Sequence, residues 1–85
     1  MKPVVVYTAT ACSYCLYAKD LLRRKNIPFE EVLLDRDDEA GWREAERRSG
    51  GMKTMPQIFI DGICVGGYTE LAALERSGEL DRKLE

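Results

Sequence analysis

Two cysteines separated by two residues stand near the start of the chain, in the run Cys12-Ser13-Tyr14-Cys15. A pair at this spacing can exchange a disulfide with another thiol, or it can supply half of a tetrahedral zinc site. Zinc would need two further ligands, yet the chain holds only one more cysteine, Cys64, and no histidine. The pattern therefore favours redox chemistry, with a metal site shared between two chains as the alternative.

The residues around the pair predict how it is positioned. The β-branched run at 3–7 shows no alternation and predicts a central strand, while Ser13 to Lys25 predicts a helix with an apolar stripe. A sulfur at the start of that helix meets unpaired backbone N–H groups and the positive end of the helix dipole. Such an environment can lower a cysteine pKa from about 8.5 to roughly 3.5–7.5. We therefore expect Cys12 to be the nucleophile and Cys15, one turn later and more buried, to be the resolving cysteine.

The remaining elements are predicted from capping signals and apolar patterns. A second strand is expected at 29–34, a charged helix between the acidic run 35–38 and Gly50, two strands at 57–60 and 63–65, and a last helix capped by Thr69. The dipeptide Asp61-Gly62 predicts a tight hairpin between the last two strands. The order β-α-β-α-β-β-α makes the first two strands parallel and predicts an α/β, thioredoxin-like fold with a four-stranded mixed sheet.

Two further segments carry candidate binding features. In Thr54-Met55-Pro56, a cis proline would turn the backbone of Met55 outward, where it could pair with an extended peptide. The alternative is that Pro56 lies on an edge strand and that the segment binds no ligand. In Gly66-Gly67-Tyr68, the glycines would let an anion approach the start of the following helix, although such a pair is usually only a turn.

Bulk composition limits the classes of function. The chain has 85 residues, of which 45% are apolar and 33% charged, with a net charge of -2. These values predict a single folded domain over residues 1–85, with no basic field for nucleic acid or for a membrane surface. No signal peptide or membrane-spanning run is visible, so a cytoplasmic monomer is expected.

In combination these segments resemble the glutaredoxin family, from about Val4 to Leu80. The matching features, in chain order, are Tyr7-Thr8, Cys12-Ser13-Tyr14-Cys15, the segment 54–60 and Gly66-Gly67-Tyr68. The resemblance implies a glutathione-dependent thiol–disulfide oxidoreductase that reduces protein disulfides and glutathione mixed disulfides. Glutathione would be a co-substrate, and no resident metal would be required. A role as the electron donor of one particular reductase is compatible with the same chemistry.

The resemblance also implies where glutathione would bind. Its cysteine part would pair with the backbone of Met55 beside Thr54 and cis Pro56, and its γ-glutamyl group would meet the segment from Gly67 to Glu70. The carboxylate would accept from the N–H groups of Thr69 and Glu70, and the acid of Glu70 would face the ammonium. Tyr14 would flank the sulfurs, and Arg43 is the match to a residue that holds the glycyl carboxylate.

The chain departs from the common pattern of the family at two positions near Cys12. Ser13 stands where proline is common, and Ala9 stands where lysine is common, so Lys19 is expected to supply part of the missing positive field. Some relatives with this cysteine motif hold an iron–sulfur cluster. A glutathione-ligated 2Fe–2S cluster between two subunits is therefore the alternative function. Cys64 is expected to be a buried small residue, with a regulatory thiol as the other interpretation.

Overall fold

Strands and helices follow one another in the predicted order, with one further short helix at the end, in the computed structural model, which describes all residues from Met1 to Glu85. The strands are β1 (Val4–Ala9), β2 (Glu30–Leu34), β3 (Gln57–Ile60) and β4 (Ile63–Gly66). The helices are α1 (Ser13–Arg24), α2 (Glu39–Ser49), α3 (Tyr68–Ser77) and α4 (Glu79–Leu84). None of these helices is long and apolar enough to cross a membrane.

The four strands form one mixed sheet in the order β2-β1-β3-β4. β1 runs parallel to β2, with Val5 opposite Glu30, and antiparallel to β3, with Val5 opposite Phe59. β3 and β4 form the predicted hairpin, in which Asp61 and Gly62 both have positive φ. The predicted thioredoxin-like fold is therefore confirmed, and β1 is an internal strand as the sequence indicates.

The main core lies between the sheet and helices α1, α3 and α4. The four residues of the predicted α1 stripe are all buried: Cys15, Ala18, Leu21 and Leu22. Ala18, Leu21 and Leu22 form one core cluster with residues of β1 and β3 and with the apolar residues of the last two helices, including Leu71 and Leu80. This packing fixes the start of α1, and with it Cys12, against the end of β1.

Two local predictions differ from the structure. β1 continues beyond the predicted run, through Thr8 to Ala9, because Ala9 pairs with Leu34 of β2. Thr69 does not cap α3; the cap is Gly67, whose N–H donates to Oε1 of Glu70 at 2.7 Å.

Candidate redox site

Cys12 and Cys15 are joined by a disulfide at the start of α1, with their Cα atoms 5.3 Å apart. Cys12 is the N-cap residue of the helix, with extended backbone, and the backbone N–H of Cys15 donates to its Sγ at 3.1 Å. This N–H is one of the donors that a helix start leaves without an intrahelical partner. When the disulfide is reduced, the same donor favours the thiolate of Cys12 over the thiol.

The two sulfurs differ in their access to solvent. Cys12 is half-buried, whereas Cys15 is only 2% exposed because it belongs to the apolar stripe of α1. Cys12 is therefore the more accessible of the two sulfurs to an external thiol or disulfide.

The loop before β3 closes over the cysteines from the other side. The Met55–Pro56 peptide bond is cis, and the carbonyl oxygen of Met55 lies 3.7 Å from Sγ of Cys12. Gly67 packs against the same loop: a Cβ added there would lie 3.3 Å from the carbonyl oxygen of Pro56. The proline loop thus contacts Cys12 on one side and Gly67 on the other.

The start of α3 is arranged around its two glycines. Gly66 has a φ of +117°, and a Cβ at that position would lie 2.7 Å from Cγ of Glu70. Glu70 folds back to accept from Gly67, while Thr69 is exposed in the first turn. The first backbone N–H groups of α3 are left without intrahelical partners. They form a donor set of the kind that binds carboxylates.

Three tyrosines pack together next to the cysteine segment: Tyr14, Tyr17 and Tyr68. The rings of Tyr14 and Tyr68 are stacked with centroids 6.0 Å apart, and Tyr17 packs against both. Tyr14 remains 59% exposed. The stack joins the first turn of α1 to the first turn of α3, so it links the cysteine segment to the Gly66-Gly67 segment.

Comparison with known proteins agrees with this arrangement. A sequence model of the glutaredoxin family matches residues 4–65. A glutaredoxin from Pseudomonas aeruginosa is 46% identical over 84 residues, covering 99% of this chain and 98% of the relative. The chain belongs to the glutaredoxin family. Glutaredoxins are thiol oxidoreductases, and the Cys12–Cys15 pair fits the dithiol type.

Solved glutaredoxin structures share the fold. The solution structure of a glutaredoxin from Brucella melitensis is 44% identical, covers 99% of this chain and 89% of that one, and superposes with a TM-score of 0.82. A crystal structure of a buckwheat glutaredoxin–glutathione complex is 28% identical, covers 98% and 76% of the two chains, and has a TM-score of 0.87.

The lysine expected to assist Cys12 has another partner in this glutaredoxin. Nζ of Lys19 lies 2.9 Å from Oε2 of Glu31, which also accepts a hydrogen bond of 2.7 Å from the hydroxyl of buried Thr8. The hydroxyl of Thr8, followed by the ammonium of Lys19, lowers the pKa of the Glu31 carboxyl. Glu31 therefore balances the charge of Lys19, and the expected field at Cys12 is weakened.

Two of the predicted glutathione ligands have exposed side chains. Arg43 is on the solvent side of α2, where its side chain is 72% exposed and pairs with Glu39 at 3.9 Å. The side chain of Thr54 is exposed, and its carbonyl accepts a hydrogen bond from Gln57. The role assigned to each of them is a contact with glutathione itself, so both assignments stay predictions.

The third cysteine lies on β4, and its Sγ is 3.7 Å from Sδ of Met52. Burial raises the pKa of the Cys64 thiol, which lowers its nucleophilicity at neutral pH and favours the structural interpretation. No group of three or more histidine, cysteine, aspartate or glutamate side chains is placed to hold a metal ion within the chain. The structure offers no observation in support of the iron–sulfur alternative, which needs two copies of the chain.

Two residues that support the site were missed by sequence reasoning. Arg36 donates twice to the carbonyl of Thr10 in the active-site loop. The side-chain amide of Gln57 donates to the carbonyls of Met52 and Thr54, which holds the loop that leads to Met55. Neither residue carries a local signal, because each acts on a carbonyl brought to it by the fold. The neighbouring Pro56 was the only sign that this loop has a defined shape.

Proposed function

We propose that this glutaredoxin uses glutathione to reduce protein disulfides and glutathione mixed disulfides, with Cys12 as the nucleophile. The observation that carries the proposal is that the Cys12 sulfur lies beside both the helix N–H of Cys15 and the carbonyl of Met55. The start of α3 packs against the same loop, because Gly67 lies close to the carbonyl of Pro56. The buckwheat relative, which has the same fold, forms a complex with glutathione.

The groove between these segments suits the chemistry of glutathione. A tripeptide with a free carboxylate at each end presents both a backbone for strand-like pairing and anions for helix N–H donors. Met55 supplies the backbone carbonyl next to the sulfur, and Thr69 and Glu70 supply the donors. In this arrangement the glutathione sulfur would lie next to Cys12.

The first reaction is a thiol–disulfide exchange. The Cys12 thiolate attacks the glutathione sulfur of a mixed disulfide; the Cys12–glutathione bond forms as the protein–glutathione bond breaks, and the protein thiolate leaves. The thiolate of a second glutathione then attacks the glutathione sulfur held on Cys12. Oxidised glutathione is released and the Cys12 thiolate is restored, so the net reaction consumes one free glutathione, and the glutathione of the mixed disulfide becomes the other half of the oxidised product.

A protein disulfide follows a second route. Cys12 attacks one of its sulfurs to form an intermolecular disulfide, and the Cys15 thiolate then attacks Sγ of Cys12. The reduced protein leaves, and the chain is left with the Cys12–Cys15 disulfide that the structure contains. Two glutathione molecules then reduce this disulfide. Burial of Cys15 confines it to the resolving step.

A coupled assay that follows glutathione oxidation tests the proposal with Cys12→Ser, Cys15→Ser and Cys64→Ser proteins. We expect Cys12→Ser to lose activity on both substrate classes by at least about a thousandfold, because the nucleophile is absent. Cys15→Ser should keep activity on a glutathionylated peptide and lose most activity on a protein disulfide. Cys64→Ser is the matched control and should behave as the parent chain.

Two results would contradict the assignment. Activity of the Cys12→Ser protein at the parent level would show that another group attacks. Equal activity of the parent chain with glutathione and with an unrelated small thiol of similar pKa, at equal concentrations, would show that the groove does not recognise glutathione.

A further inference from the structure

The backbone just before Cys12 is held by one side chain from another element. Arg36 follows β2, and its guanidinium donates to the carbonyl oxygen of Thr10 from Nε at 3.1 Å and from Nη2 at 2.7 Å. Two hydrogen bonds from one planar group restrict both the position and the direction of the acceptor. The active-site loop is therefore tied to the connection between β2 and α2.

The carbonyl of Thr10 belongs to the peptide unit that enters Ala11. Ala11 has a φ of +54°, a left-handed conformation that is uncommon for residues other than glycine. The φ of Ala11 describes how this peptide unit is turned relative to the backbone that continues into Cys12. By holding the carbonyl, Arg36 keeps the turn that delivers Cys12 to the start of α1.

Arg36 is itself held in place. Its guanidinium carbon lies 5.8 Å from the centre of the Trp42 ring, which is a cation–π distance. The indole N–H of Trp42 donates to the carbonyl of Asp35 at 2.9 Å, so the ring is oriented by the same connection that carries Arg36. The guanidinium therefore contacts both the Thr10 carbonyl and the Trp42 ring.

The charge of Arg36 has no carboxylate partner. The ion pairs of the chain involve other lysines and arginines, and no cation occurs between Thr8 and Ala18. Lys19, the next in sequence, is paired with Glu31. Since Thr10 is two residues from Cys12, the guanidinium lies on the order of 10 Å from its sulfur.

We propose that Arg36 is a positioning residue that holds the active-site loop and stabilises the thiolate of Cys12 with its unpaired charge. The inference rests on the proposed function, in which that thiolate is the nucleophile. In this proposal the positive charge that favours the Cys12 thiolate comes from the segment after β2, and not from the active-site loop or from α1.

The test compares Arg36→Gln, Arg36→Lys and Arg23→Gln in a Cys15→Ser chain. Arg23 is the matched control: it is exposed, lies in no ion pair, and sits over the Phe29 ring at 5.6 Å, at the other end of α1. The reduced proteins are treated with iodoacetamide over a range of pH, and alkylation of the peptide that carries Cys12 is followed by mass spectrometry. The midpoint of the rate profile is the thiol pKa.

We expect Arg36→Gln to raise the Cys12 pKa by about half a unit, which is the size expected for one charge removed at this distance in a partly aqueous setting. Arg36→Lys should restore more than half of that shift, because it keeps the charge and loses the paired hydrogen bonds. Arg23→Gln should leave the pKa unchanged.

Two results would overturn the proposal. One is a pKa in Arg36→Gln that equals that of Arg23→Gln. The other is an equal shift in Arg36→Gln and Arg36→Lys, since both would then report only a distorted loop. The Cys12→Ser assay distinguishes failure of the proposed function from failure of the Arg36 proposal. An active Cys12→Ser protein contradicts the proposed function. An inactive Cys12→Ser protein, together with an unchanged Cys12 pKa in Arg36→Gln, contradicts only the role of Arg36.

Discussion

The hydrogen bond between Thr8 and Glu31 gives a prediction whose size and pH dependence both follow from the structure. Thr8 is 1% exposed, and its hydroxyl donates to the Glu31 carboxylate at 2.7 Å. Thr8→Val keeps the shape of the side chain and removes only this donor. Glu31 keeps its second partner, Lys19, so the change isolates one charge-assisted hydrogen bond.

The magnitude follows from two opposing contributions. A hydrogen bond to a charged group contributes about 1.5–3 kcal/mol, and this one falls at the low end because Glu31 is partly exposed and keeps Lys19. The added methyl group returns up to about 0.8 kcal/mol of apolar burial. We expect Thr8→Val to lower the free energy of unfolding by about 1 kcal/mol at pH 7. For a domain of this size, that lowers Tm by about 4–8 °C.

The loss should depend on pH. The hydroxyl of Thr8 is the main cause of the lowered pKa of Glu31 in the folded chain. A lowered folded-state pKa stabilises the protein above the unfolded value, near 4.5, and this stabilisation disappears as the pH falls through the folded value. The penalty of Thr8→Val should therefore be largest near neutral pH and should shrink below about pH 4.5.

Urea unfolding at pH 7 and pH 3 measures the effect, and a double-mutant cycle with Glu31→Gln is its control. In the Glu31→Gln background the Thr8→Val penalty should fall by at least half, because the charged acceptor is absent. A penalty that is the same at both pH values, or the same with and without the Glu31 carboxylate, would refute this account of the interaction.

Three further perturbations test other parts of the fold. Leu22→Ala, at a fully buried core position, should cost about 2–5 kcal/mol in urea unfolding, and a loss below about 1 kcal/mol would contradict the described core. The ammonium of Lys25 lies 2.7 Å from Glu75 and 3.0 Å from Asp81, and these hydrogen bonds raise its pKa above 10.5. This stabilisation is present below pH 10.5 and is lost as the pH rises through the folded value, so the parent chain should lose Tm at alkaline pH more steeply than Lys25→Met. Gln57→Glu replaces the amide donor by a buried carboxylate that faces two carbonyls. It should lower the free energy of unfolding by at least about 3 kcal/mol at pH 7, and by much less at pH 4, where the carboxyl can be protonated. A loss of stability that is equal at the two pH values would argue against that contact.

Element types and their order could be predicted because their signals are local. The stripe Cys15, Ala18, Leu21 and Leu22 lies on one face of any helix built from this segment. Asp61-Gly62 favours a hairpin wherever it occurs, because its backbone preference does not depend on the rest of the chain. The ends of elements were less predictable. Pairing with Leu34 extends β1 to Ala9, and the return of Glu70 to Gly67 moves the cap of α3 away from Thr69.

The different positions of Cys12 and Cys15 could be predicted from four residues, because a residue at the helix N-cap is half exposed while the residue three positions later lies on the buried face. The surroundings of Cys12 were not predictable in this way. The carbonyl of Met55 comes from 43 residues along the chain, and Arg36 reaches Thr10 from 26 residues away. The sequence predicted that Lys19 would supply the positive charge near Cys12. In the structure Lys19 pairs with Glu31, and Arg36 is the cation that contacts the active-site loop.

The sequence by itself determined the order of the elements, the family resemblance and the position of Cys12 at the start of a helix, since each depends on residues within about one helical turn or on motifs in chain order. The tertiary structure decided which carbonyl faces Cys12, which cation touches its loop, and that Arg43 lies on the solvent side of α2. The physical reason is that a charge or a carbonyl acts through distance and burial. Both quantities are set only when remote segments pack against one sheet.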